Sequence, residues 1–144
     1  MRSLFIAAFA YLIAGAAAGV YYRELTKFTG FPEGGSTQLS VVHTHLLTLG
    51  FLLLLVVLVL DKVFGLSGNR LFPWFFWLFN AGLVVSTGMM VWHGTLTVLG
   101  QQSSPAIAGI AGMGHIVLTG SLIILMVALG RSLPRREVRP AAAE

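Results

Sequence analysis

The sequence predicts an all-α membrane protein: four transmembrane helices in an antiparallel, up-down bundle, with both termini in the cytoplasm. Three observations carry that prediction. The chain has 144 residues, 56% of them hydrophobic and 10% charged, where a soluble domain holds about 25% charged residues. Its apolar residues fall into four runs, each with the ~20 residues that a ~30 Å hydrocarbon layer requires. The cations sort to one side of those runs, seven against two. The mean hydropathy of +0.86 leaves no room for a second domain, so residues 1–133 form one transmembrane unit and 134–144 a polar tail.

The first run, residues 4–22, follows Arg2 and contains Gly15-Ala16-Ala17-Ala18-Gly19. A cation, an apolar stretch and small residues also resemble a secretory signal. The preferred reading is a retained helix whose small residues let another helix approach closely. Residues 23–38 form the longest loop, broken by Gly30, Pro32, Gly34 and Gly35. Ser36 or Thr37 stands where it can cap the second helix, residues 39–60. A short loop, 61–70, leads to the third helix, residues 71–96, and the fourth covers 105–129. Short connections between long helices make successive helices antiparallel.

Orientation follows from the Lys and Arg distribution. Arg2, Lys62, Arg70, Arg131, Arg135, Arg136 and Arg139 share one side; Arg23 and Lys27 lie on the other. That asymmetry puts both termini in the cytoplasm of a bacterial-type cytoplasmic membrane. The Arg-rich tail is expected to anchor the topology against anionic lipid.

Composition also removes whole classes of chemistry. The chain has no cysteine, so disulfides, thiolate metal sites, iron–sulfur clusters and covalent c-type heme are excluded. The net charge of +4 is not gathered into a basic patch interleaved with aromatics, so nucleic acid is not an expected partner. Glu24, Glu33, Asp61, Glu137 and Glu144 are all expected in loops or tails. No carboxylate is then available to a catalytic triad or an intramembrane proton relay, and independent catalysis is not expected.

The chemistry is concentrated in four histidines, all within the apolar runs. His43-Thr44-His45 is the sharpest signal, because an imidazole in hydrocarbon is costly and marks a functional site by default. Positions two apart on a helix differ by about 200°, so the two rings face opposite ways and need separate partners. Neutral imidazole is the commonest metal ligand. Gly50 lies seven residues on, on the face of His43, and leaves room for a flat cofactor or a close-packed helix. His93 shares a face with Ser86, Met89 and Met90. His115 shares one with Ala108, Ala111, Gly112 and Thr119. With the deduced topology all four histidines lie in the outer half of the bilayer.

The segment Val41-Val42-His43-Thr44-His45-Leu46-Leu47-Thr48-Leu49-Gly50 resembles the His-x-His helix of heme-copper oxidase subunit I. It is similar also to histidine-rich membrane proteins of the NnrS type and to small four-helix bacterial membrane proteins. In the oxidases, three four-helix units surround a pseudo-threefold axis, and the His-x-His helix sends one imidazole to each of two hemes. The resemblance covers one motif and the four-helix topology. It implies an integral membrane heme b protein that transfers electrons, exchanging them with a redox partner or quinol. The opposed directions of His43 and His45 also suggest a homotrimer, in which His43 of one subunit and His45 of the next hold a bis-histidine heme at each interface. Arg23 and Lys27 would neutralise the propionates. The paired histidines of the oxidase copper site and its cross-linked tyrosine are missing here, so oxygen reduction is not expected. The two-histidine helix of diheme four-helix cytochromes, with its ligands about thirteen or fourteen residues apart, is absent too.

Two other functions compete. One is a copper or other transition-metal binder or transporter using His93, His115 and the methionines. The other is a structural subunit of a respiratory complex, its histidines serving helix contacts.

Overall fold

The computed structural model describes residues 1–133, and the tail 134–144 lies outside the described residues. Four helices long and apolar enough to cross a membrane account for the chain: α1 (Arg2–Thr29), α2 (Leu39–Phe64), α3 (Phe72–Val98) and α4 (Pro105–Ser132). There is no strand among the described residues. The helices alternate in direction, and the protein is a multi-pass, all-helical membrane protein. Only helices and closed barrels satisfy every backbone group in lipid.

Each helix is longer than its apolar run. α1 continues past residue 22 because nothing there breaks it; charged residues are good helix formers once clear of the hydrocarbon. It stops at Gly30, whose φ of 64° is left-handed. The Gly30 and Phe31 N–H groups return to the Lys27 and Thr26 carbonyls, closing the helix in the way glycine permits. Arg23 and Lys27, expected in a loop, are therefore helical. α2 likewise passes residue 60 and ends at Gly65, φ 64°. Asp61, expected in a loop, lies inside the helix and is buried, 3% exposed. Pro105 opens α4, where its missing N–H costs nothing.

The middle of α2 departs from α geometry. Leu46–Leu53 is wound as a π-helix, a wide turn that is rare and often sits near functional sites. It begins directly after His45.

Lipid tails give helices no hydrophobic reason to associate, so contact depends on close van der Waals fit. Glycines supply it here. Gly15 and Gly19 of α1 pack against Leu46, Leu47 and His43 of α2, the close approach expected of that small-residue face. Gly94 of α3 lies on the Leu39 backbone of α2. Gly82 and Gly114 bring the α3 and α4 backbones together beside Ser86. Thr37 fastens the start of α2: its hydroxyl accepts the Leu39 N–H at 3.3 Å and donates to the Gly94 carbonyl at 3.0 Å. Trp74 and Trp77 face outward near one end of α3 and Trp92 near the other, the positions of interfacial aromatic belts.

The arrangement is not a closed four-helix square. α1 packs along α2 and reaches α3 through two side-chain hydrogen bonds, Tyr11 to Asn80 and Tyr21 to Thr95. α4 packs along α3 and has little contact with α1 or α2.

Candidate functional site

His45 and His115 face each other across the space between α2 and α4. Their ring centres are 6.3 Å apart and their planes are nearly perpendicular, at 84°. Both rings are held the same way. His45 Nδ1 lies 2.9 Å from the Val41 carbonyl and His115 Nδ1 lies 2.8 Å from the Ala111 carbonyl. In each case the carbonyl belongs to the preceding turn of the same helix. A carbonyl can only accept, so each Nδ1 carries the proton and each Nε2 keeps a free lone pair. A carbonyl holding the second ring nitrogen is the usual way a metal-ligating imidazole is oriented. Ser86 Oγ, fully buried on α3, adds a longer contact of 3.4 Å to His115 Nδ1.

The spacing suits a shared ion. Two imidazoles on opposite sides of one metal, each bonded at about 2.0–2.1 Å, hold their ring centres roughly 6 Å apart. Among the described residues, no three His, Cys, Asp or Glu side chains gather at one point. The pair therefore stands without a carboxylate or a third side-chain ligand of those types. On the outward side of α4, His115, Ile116, Thr119 and Ile123 line an open groove of about 410 Å³.

The other histidines are placed differently. His43 does face away from His45, as the two-residue spacing demands, and its Cβ lies against Gly19 of α1. Its Nδ1 is buried without a hydrogen-bond partner, as is Nδ1 of His93 on α3. Within its own chain His45 meets His115; the expected meeting with His43 of another subunit concerns a second copy. No sequence signal gave the His45–His115 pairing, because it depends on the rotation of α4 about its own axis.

Two expectations change. Gly50 leaves no space for a cofactor: the Tyr11 ring lies on it so closely that a Cβ there would collide with Cβ, Cγ and Cδ1 of Tyr11. Gly50 is a helix-packing residue. Arg23 is not beside the imidazole pair. It lines, with Tyr22, Thr26, Lys27 and the loop 30–35, an open hollow of about 670 Å³ at the end of α1. Its guanidinium lies 3.7 Å from Glu24.

Sequence reasoning missed two polar clusters. Tyr11, Gly50 and Asn80 join three helices, and Asn80 also donates to the Phe76 carbonyl at 2.6 Å. Asp61 accepts the Ser67 N–H at 2.6 Å and lies 3.7 Å from the Met1 ammonium. A lone Asn within an apolar run was the available signal for the first. For the second it was an acid following an apolar run without a helix breaker before Gly65.

Neither a curated protein nor a solved structure matches the chain. A family model described as a protein of unknown function (DUF2871) matches residues 1–132. That span takes in all four helices and every histidine, and the chain belongs to the DUF2871 family.

Proposed function

We propose that this chain binds one heme b between α2 and α4, where His45 and His115 would hold it, and works as an electron-transfer protein. The observation that carries the reading is the facing pair of imidazoles, each with Nδ1 occupied by a carbonyl and Nε2 free. Two neutral nitrogens would suffice to hold the iron of a heme. They do not suffice for a bare divalent ion, which wants four or more ligands and a compensating negative charge. The macrocycle brings its own charge and an apolar rim suited to lipid. Bound heme b supplies one-electron redox chemistry. Held by both imidazoles, it would favour electron transfer over gas binding.

The chain's own contribution is preorganisation. The Val41 and Ala111 carbonyls fix both tautomers, and Ser86 limits rotation of the His115 ring. Because both ligands come from one chain, a single subunit forms the site, and the trimer suggested by the opposed His43–His45 pair is not required for binding. The positive-inside asymmetry supports a bacterial-type cytoplasmic membrane with cytoplasmic termini. A quinol or another redox protein is the partner this reading calls for.

Copper(I) is the second reading, favoured by the two neutral imidazoles together with Met89 and Met90 one turn along α3 from Ser86. Visible spectra of detergent-purified protein, oxidised and dithionite-reduced, separate the two. The expected result is a Soret band with sharp reduced α and β bands, lost in His45→Ala and in His115→Ala but kept in His43→Ala. Protein that stays colourless when expressed with added heme, but retains copper through both histidines, would establish the second reading instead.

A further inference from the structure

We propose that the hollow at the end of α1 binds the headgroup of a zwitterionic, ethanolamine-type phospholipid, with Arg23 and Lys27 on its phosphate and Glu33 on its ammonium. The site is separate from the imidazole pair and does not depend on the heme reading.

The hollow sits at headgroup depth. The apolar run of α1 ends at Tyr22, but the helix continues to Thr29. The Tyr21 hydroxyl lies 3.1 Å from Thr95 Oγ1 of α3. That contact sets Tyr21 within one turn of the outward-facing Trp92, and Trp marks the edge of the hydrocarbon. Each polar layer of a bilayer is about 5–7.5 Å thick. Lys27 lies five residues past Tyr22, about 7.5 Å along the axis. Arg23 and Lys27 therefore stand at the depth of the lipid phosphates.

The two cations are four residues apart and share a face of α1. Both line one open hollow of about 670 Å³, inside the range of about 300–1,000 Å³ for small-molecule sites. Among the described residues Lys27 forms no ion pair, and Arg23 makes one long contact, from Nε to Glu24 at 3.7 Å. A guanidinium fork and a lysine ammonium are both strong phosphate donors.

The loop after α1 supplies the opposite charge. Pro32 to Gly35 form a turn closed by the Gly35 N–H on the Pro32 carbonyl at 2.9 Å. Gly34, with φ 79°, occupies the position where a type II turn needs glycine. Glu33 stands at the corner of this turn and lines the hollow with the two cations. It forms no ion pair among the described residues. Tyr22 and Phe31 line the same space, and aromatic faces attract an ammonium.

With Glu24 included, the four charged groups at this end sum to zero. A headgroup that pairs a phosphate with an ammonium matches that balance. A purely anionic headgroup would meet Glu33 as a repulsion, and a choline headgroup has no N–H to donate to it. Soluble phosphoethanolamine compounds carry the same chemistry; the interfacial depth favours the lipid.

The test titrates full-length protein in mild detergent with short-chain phosphatidylethanolamine, phosphatidylglycerol and phosphatidylcholine, read by native mass spectrometry. Phosphatidylethanolamine is expected to bind ~10-fold more tightly than the other two, the scale of one charge-assisted hydrogen bond. Arg23→Ala and Lys27→Ala should each weaken all three lipids by about tenfold. Glu33→Gln should remove the preference for ethanolamine and leave phosphatidylglycerol bound as well as before or better. Lys27→Arg should retain binding and controls for misfolding, and Lys62→Ala, at the opposite end, should change nothing. Equal affinities for the three lipids in wild type overturn the proposal. So does a preference that survives Glu33→Gln, or a loss in Lys62→Ala as large as that in Lys27→Ala. Displacement of the lipid by an equal concentration of glycerophosphoethanolamine, which has no acyl chains, would make the ligand a soluble zwitterion and overturn the lipid assignment.

Discussion

The Tyr11 hydroxyl donates a 2.8 Å hydrogen bond to Asn80 Oδ1, joining α1 to α3 while the Tyr11 ring covers Gly50 of α2. One side chain thereby fixes the spacing of three helices. Tyr11→Phe keeps the ring and removes the bond. It should cost about 0.6 kcal/mol, the average for polar contacts between transmembrane helices, and at most about 1.7 kcal/mol. Tyr11→Ala also removes the ring and should cost about 3–5 kcal/mol. Unfolding in mixed micelles measures both, and an unchanged stability in Tyr11→Phe would show that the hydroxyl contributes nothing.

Glycine positions divide into two sets that one substitution should separate. At Gly94 an added methyl meets the Leu39 backbone, which cannot yield. At Gly88 and Gly112 it meets nothing. Gly94→Ala should therefore destabilise the protein by about 1–3 kcal/mol or more. Gly88→Ala should be neutral or stabilising by up to about 1 kcal/mol through helix propensity. Thermal melts of the two variants in the same detergent make the comparison.

Asp61 is the buried acid of the α2–α3 turn. Asp61→Ala leaves the Ser67 N–H without its acceptor and should cost about 1–3 kcal/mol. Asp61→Asn keeps an acceptor oxygen and should lose less. Hydrogen exchange at Ser67 reads the effect directly: protection should vanish in Asp61→Ala and persist in Asp61→Asn.

Ser86→Ala tests how His115 is held. The Ala111 carbonyl at 2.8 Å is the stronger partner and Ser86 at 3.4 Å the weaker. Heme retention should fall by less than about tenfold, well under the loss in His115→Ala, since one weak neutral hydrogen bond is worth about 1 kcal/mol. A loss as large as that of His115→Ala would make Ser86 the principal orienting group.

The four helices were legible because apolar runs of membrane length have few alternatives. Their ends were less so, because Arg23, Lys27 and Asp61 mark where the hydrocarbon stops and not where the helix stops. Glycines at 30 and 65, with left-handed backbones, set the true ends. The opposed directions of His43 and His45 followed from helix geometry alone. The partner of His45 did not. His115 reaches it through the Gly82–Gly114 crossing, which sets how α4 is rotated, and no periodicity in α4 marks one side as inward. Gly50 was read by its room without knowledge of what filled it, since Tyr11 lies 39 positions earlier in the sequence.

The wide turn at Leu46–Leu53 has an evolutionary reading. A π turn is what an α-helix becomes when one residue is inserted and the flanking contacts are kept. The histidine-bearing start of α2 and its Asp61-bearing end are thereby mechanically decoupled, each free to keep its own angular setting. Homologues that differ by a single-residue gap within this stretch can retain both the imidazole pair and the buried acid. Gaps placed anywhere else in α2 would swing one relative to the other by about 100°.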